Sequence, residues 1–172
     1  MIILGIDPGI ATTGYGVIKK LKGVKLKGKK GLRCLGYGLI KTDSFLSDGE
    51  RLRRLHVQVS KLIKKYEPRV MAVESLFFFK NLKTAFPVSQ AKGVILLAAA
   101  KKKIPVFEIA PLQAKLAITG YGRAEKEEVQ KTIKFLLRLD EIPKPDDAAD
   151  ALAMALACFF LKDLTQIKSG RA

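Results

Sequence analysis

The chain has 172 residues, 48% of them hydrophobic, and carries 32 Lys and Arg against 16 Asp and Glu, a formal charge of +16 at pH 7. That length suits one domain with a real core, and the apolar content excludes a disordered chain. An excess of positive charge this large points to a polyanionic partner, most simply nucleic acid; heat-adapted lysine-rich surfaces usually carry matching Glu, and here the acids do not follow.

Residues 2–7 read as the first strand. Ile2, Ile3, Leu4, Gly5 and Ile6 run without interruption into Asp7, Pro8 and Gly9. Such runs mark strands buried on both faces. After a turn at Thr12 and Thr13, residues 14–20 and 33–41 alternate as strands two and three of an antiparallel meander. Between them, residues 19–33 hold eight basic residues, three glycines and no acid. This segment reads as an extended hairpin or a flexible loop, which either touches phosphates or is a solvated tip. Leu52, Leu55, Val59, Leu62 and Tyr66 recur at helical spacing and predict an amphipathic helix over 50–66. Strand four, 69–74, ends in Glu74. A helix is predicted within 82–102, started or kinked by Pro87. It is apolar on two sides, so it needs two partners: the sheet, and a second copy of the chain. Strand five is predicted over 105–109, helices over 112–118 and 126–137, and a last helix from about Pro145 to about Leu161. With no repeat and no linker, residues 1–165 read as a single α/β domain and 166–172 as a frayed tail.

Acids close strand one and strand four, and a third cluster opens the last helix. Asp147 and Asp150, three apart, share a helix face. In open α/β sheets the working crevice lies beyond the carboxyl ends of the strands. Each acid alone has a plainer reading, as a turn residue, a cap or a helix N-terminal charge, and for Asp146 the last is preferred. The Asp-Pro-Gly turn with its hydroxyls also fits an ATPase phosphate loop, but that architecture needs two such domains. Together, Asp7, Glu74, Asp147 and Asp150 can meet if strands one and four are neighbours, as a meander followed by a right-handed crossover requires. Four carboxylates in one place repel without cations. Oxygen ligands without sulfur or imidazole select Mg2+ or Mn2+. Two such ions ~3.5–4 Å apart cleave phosphodiesters.

The longest apolar stretch, 148–161, is broken by Asp150 and too short for a bilayer, so no membrane role is expected. The chain opens directly on a strand pattern, which predicts no signal peptide. Cys34 and Cys158 are far apart in apolar surroundings and read as free buried thiols of a cytoplasmic protein.

The chain resembles the RuvC family of crossover (Holliday) junction endodeoxyribonucleases, in the RNase H-like superfamily. The resemblance rests on Gly5-Ile6-Asp7-Pro8-Gly9 with Thr13-Gly14-Tyr15-Gly16-Val17-Ile18, and on Glu74 closing strand four. Further along it rests on Gln90-Ala91-Lys92-Gly93, Val106-Phe107-Glu108, residues 120–126 and Asp147-Ala148-Ala149-Asp150-Ala151-Leu152-Ala153. It implies an RNase H-like mixed five-stranded sheet, a three-strand meander followed by parallel strands, flanked by helices. It implies a homodimer that nicks four-way DNA junctions symmetrically during recombination and repair, working with a branch-migration helicase complex. Asp7, Glu74, Asp147 and Asp150 would hold two Mg2+ (or Mn2+), with Lys126 a basic catalytic residue. Phe77, Phe78, Lys80, Lys115, Arg123 and Lys126 would contact DNA. Two alternatives stand beside this: a non-catalytic junction-binding module, and an RNA nuclease of the related YqgF family.

Overall fold

The structure is a computed structural model and describes residues 1–26, 29–75 and 82–169. Its sheet has five strands in the order β3-β2-β1-β4-β5. These are β1 (Ile2–Asp7), β2 (Thr12–Leu26), β3 (Lys29–Lys41), β4 (Val70–Glu74) and β5 (Val106–Ile109). β1 pairs antiparallel with β2 and parallel with β4, and β4 pairs parallel with β5. The expected meander and crossover are therefore present, and β1 and β4 are neighbours.

Alternation along β1 feeds two cores. Leu4 and Ile6 pack with Val17, Met71 and Val73 against α1 (Asp48–Tyr66) and α2 (Leu82–Lys101). Ile3 faces the other way, with Ile18, Val70 and Ala72, against α5 (Asp146–Ser169). On that second side α3 (Pro111–Thr119) and α4 (Lys126–Leu137) flank α5, burying Ala114, Ile118, Val129, Ile133 and Leu137. Residues interior on both faces explain why β1 and β4 are continuous apolar runs. Helix α1 starts on Ser47, whose hydroxyl accepts from the Glu50 amide, and lays Leu55, Val59 and Ile63 on the sheet.

Three boundaries differ from the sequence reading. β2 and β3 are longer than predicted, pairing as far out as Leu26 with Lys29, beyond a register shift between Lys20 and Lys25. Mutual backbone pairing in a hairpin satisfies the amides of a Lys- and Gly-rich segment whose sequence carries no strand pattern. Pro87 lies inside α2 rather than at its start. Its ring costs the bond from position 87 to the carbonyl four residues back, and the apolar contacts of the turns that follow outweigh that loss. Helix α5 continues past Leu161 to Ser169.

Among the described residues no helix is long and apolar enough to cross a membrane. Both cysteines are free; Cys158 is buried, which pushes its thiol up to about 11, and Cys34 is half-buried.

Candidate active site

The neighbouring ends of β1 and β4 bring Asp7 and Glu74 together. Ile6 pairs with Val73, and each acid is the next residue on its strand. Both side chains are half-buried and hydrogen-bonded to one another. Burial first, then the hydrogen bond to Glu74 and the charges of Glu74, Asp150 and Asp147, push Asp7 up to about 9. Burial also raises Glu74, while its bond from Asp7 and the charge of Lys92 pull the other way.

Asp147 and Asp150 arrive from α5, and glycine makes their approach possible. Asp7 pairs with Gly14 across β1 and β2. A Cβ on Gly14 would stand 1.9 Å from the Asp147 carbonyl oxygen, and one on Gly5 would stand 2.0 Å from that of Ala151. The helix backbone therefore rests directly on the backbone of the sheet, through Ala148, Ala151 and Ala155 on its own side. Bulkier residues in either layer would lift the first turn of α5 away from Asp7.

The turn after β1 is clamped. The buried Thr13 hydroxyl donates to the Gly9 carbonyl and accepts from the Gly9 amide at 3.3 Å. Thr42 donates to the Ile10 carbonyl and accepts from Arg51 Nε at 3.0 Å. The Thr13 hydroxyl, which in sequence fitted a phosphate loop, is spent on holding the end of β1.

Lys126 Nζ lies 3.6 Å from Asp150 Oδ2 and 3.2 Å from Asp146 Oδ2. Partial burial lowers this ammonium's proton affinity, but Asp150 and Asp146 outweigh that and hold it above the usual lysine range. Asp146 also accepts from Gln130 Nε2 at 2.9 Å. It thus belongs to a side-chain network as well as to the helix N-terminus where the sequence reading put it. Among the described residues no three of the acids close into a ready ligand shell. Asp7 and Glu74 are joined, and Asp147 and Asp150 act on Asp7 through charge. Lys126 holds Asp150 towards Asp146 and supplies part of the positive charge that four carboxylates need.

A cavity of about 210 Å³ opens beside these acids, lined by Glu74, Asp150, Lys115, Lys126, Ala114 and Met154 among others. Lys115 Nζ donates to the Ala124 carbonyl at 2.7 Å and ties the 120–124 turn to α3. Arg123 sits half-exposed on the same turn. Phe77, Phe78 and Lys80 lie outside the described residues. Sequence reasoning did not single out Lys92 for this site. It is mostly buried on α2, pairs with Glu108 on β5, and its charge reaches Glu74. A lysine between Ala91 and Gly93, at the start of the apolar half of α2, is the signal that marks it.

Held acid-bearing strand ends, facing two further acids on α5 with Lys115 of α3 and Lys126 of α4 beside them, make a candidate nuclease-type site on an RNase H-like sheet. Comparison with known proteins is specific: the profile of the crossover junction endodeoxyribonuclease RuvC family matches residues 3–158, and the chain belongs to that family. A RuvC from Natranaerobius thermophilus is 54% identical over 156 residues, 91% of this chain and 92% of its own length. The Thermus thermophilus RuvC structure superposes with a TM-score of 0.87 at 35% identity, covering 96% of this chain and 97% of that one. The same T. thermophilus protein in complex with a Holliday junction substrate gives 0.85 at 34% identity, covering 95% and 96%.

The raised carboxyls set a pH dependence for the metal-free protein. Asp7 holds its proton when folded up to about pH 9, against an ordinary value of 3.8. The folded state therefore binds more protons than the unfolded one across that window, and stability falls as pH rises through it. Thermal melting in EDTA should give a Tm that declines from about pH 5 to 9. Mg2+ should restore more stability at pH 9 than at pH 5, because it replaces a proton that is scarce only at the higher pH. A Tm that rises with pH in EDTA would contradict the raised Asp7 carboxyl.

Proposed function

We propose that this chain is a Holliday-junction resolvase, a metal-dependent endonuclease that makes paired symmetric nicks in four-way DNA junctions during recombination and repair in the cytoplasm. The observation that carries this reading is the meeting of Asp7 and Glu74 on adjacent strand ends, buried enough to need a proton between them, with Asp147, Asp150 and Lys126 alongside. A pair of acids that must share a proton is a place where a cation fits, and the all-oxygen donor set suits Mg2+ or Mn2+. Asp7, Glu74, Asp147 and Asp150 are the residues that would hold two such ions. When bound, the ions supply charge neutralisation at the phosphate, activation of the attacking water and stabilisation of the leaving oxygen.

The chain's own groups do the rest. Thr13 holds the Asp7 turn. Gly14 lets α5 deliver Asp147 and Asp150. Lys126 keeps Asp150 oriented and offers its ammonium to the cleaved strand. Lys115 and Arg123 line the path of the phosphates, and Phe77, Phe78 and Lys80, soon after Glu74 in the chain, would meet the DNA as well. Residues 1–165 act as one nuclease domain, and a branch-migration helicase complex delivers the junction.

Paired cuts need two sites related by a two-fold axis. Helix α2 supplies a face for it. Ala91, Ile95, Ala98 and Ala99 are buried on the sheet, while Phe86, Gly93, Leu97 and Ala100 are exposed along the opposite side. Phe86 is 76% and Leu97 54% exposed, and a second copy of the chain would cover them. Leu97→Glu should therefore give folded monomers that bind junctions and lose coordinated double nicking, whereas Ile95→Glu should unfold the chain. Sedimentation with native mass measurement checks both. A dimeric Leu97→Glu protein would move the interface elsewhere.

The direct test of the function is nicking of a synthetic four-way junction with Mg2+, with a linear duplex of the same sequence as control. Symmetric product ends on opposite strands are expected. Binding without nicking in either Mg2+ or Mn2+ would return the chain to a junction-binding module.

A further inference from the structure

A second concave site lies on the face of the sheet away from α5. It has a volume of about 360 Å³ and sits between the β2–β3 hairpin and the C-terminal half of α1. Tyr15, Lys41, Gln58, Lys61, Leu62 and Lys65 line it. Lysines from two elements thus line one hollow, Lys61 and Lys65 from α1 and Lys41 from the β3 edge, and its lining contains no acid. The rest of α1 shows what this chain does with cations it intends to neutralise. Arg53 and Arg54 are paired with Glu50, and Arg54 also with Asp43. Lys61, Lys65 and Lys41 have no carboxylate partner among the described residues. Lys65, in the last turn, also suits the helix C-terminus. Lys61 stands a turn earlier and Lys41 on another element, so the helix dipole does not account for the group. Like charges at i and i+4 cost helix stability rather than add to it. The Tyr15 ring, packed over Gly38, forms part of the wall and adds a hydroxyl donor beside the lysines.

The hollow is placed for a strand that has already met the acids. Thr12 pairs with Lys41, and Gly14 with Asp7. Gly14 faces α5, so by alternation Thr12 and its partner Lys41 turn to that face too: Lys41 stands with the carboxylates at one end of the sheet, on the β3 edge, while Lys61 and Lys65 on α1 lie on the other face. β3 is the sheet's edge, so nothing beyond it in the sheet bars the way. We infer that the hollow formed by Lys41, Lys61, Lys65, Gln58 and Tyr15 binds phosphates of a DNA arm that leaves the active-site face and rounds this end of the sheet. The inference rests on the nuclease reading for the arm's origin, and its test is one of binding, without metal and without cleavage.

The test replaces Lys41, Lys61 and Lys65 together by Gln and measures affinity against salt for four-way junctions with long and with short arms. On long arms the slope of log K against log salt should flatten by about 0.9 for each phosphate that the variant no longer neutralises. On arms too short to round the sheet end, affinity and slope should match the parent protein, and so should nicking of that short-armed junction in Mg2+. An unchanged slope on long arms overturns the inference. So does an equal change on long and short arms, which would make the lysines part of a general field. A titration with AMP followed at the Tyr15 ring by NMR separates the other source of phosphate. A saturable shift abolished in the triple variant, with the long-arm slope unchanged, would make the hollow a mononucleotide site and overturn the arm reading. Failure of the parent protein to nick any junction would strike the nuclease reading, while the arm-length dependence of binding would still be measured.

Discussion

Asp7→Asn is expected to abolish nicking while leaving junction binding intact. Asn preserves the size of the side chain and removes the charge that a cation would answer. Metal-ion catalysis contributes several kcal/mol of charge stabilisation, and each ~1.4 kcal/mol is a factor of ten, so single-turnover cleavage should fall by roughly 10³-fold or more. The same change removes the group with the most strongly raised proton affinity in the site. Asp7 is raised by burial and by three neighbouring acids, and an amide needs no proton to be comfortable there. The metal-free variant should therefore melt higher than the parent at pH 8, and its Tm should gain less from Mg2+. Loss of cleavage together with a raised metal-free Tm is the signature of an acid placed for a cation at a cost in stability. Near-normal nicking would remove Asp7 from the reaction. Loss of cleavage with a lowered Tm would make Asp7 a structural residue.

Gly14→Ala is expected to be nearly as damaging, although it touches no acid side chain. The added methyl would lie 1.9 Å from the Asp147 carbonyl oxygen, and the next atoms it meets are also backbone, so no rotamer change relieves the clash. The first turn of α5 must lift. Overpacking of this kind costs about 1–3 kcal/mol of stability. A displacement of reacting groups by about 1 Å costs on the order of 100-fold in rate. Cleavage should fall by that factor at saturating junction, with junction affinity nearly unchanged, since the basic surface is not moved. Gly49→Ala is the control, because a Cβ there meets nothing within 4 Å. Equal cleavage by the Gly14 and Gly49 variants would mean that α5 does not set the acids.

Much of this organisation is visible in the amino-acid order. The continuous runs before Asp7 and Glu74 mark strands buried on both faces, and such strands place their last residue at the rim of the sheet. The meander followed by a crossover requires β1 and β4 to be adjacent, and the register of Ile6 with Val73 bears this out. The three-residue spacing of Asp147 and Asp150 puts them on one helix face. All of these depend on local periodicity and chain connectivity, which a sequence carries directly.

What lies across the molecule is different. Only the packed structure shows a helix backbone filling the space where side chains at Gly5 and Gly14 would be. Thr13 fits a phosphate loop in sequence, and the fold spends its hydroxyl on the turn after β1. Lys126 is in sequence only a basic residue that the resemblance places near the site, and the fold sets it against Asp150 and Asp146. Periodicity tells which face of an element is buried. It does not say which element covers it, or how closely, because that distance is set by side chains far apart in the chain. Strand ends, acid spacing and excess charge were therefore determined by the sequence alone. The depth of α5 on the sheet, the burial that sets Asp7 against Glu74, and the hollows lined by lysines were decided by tertiary packing.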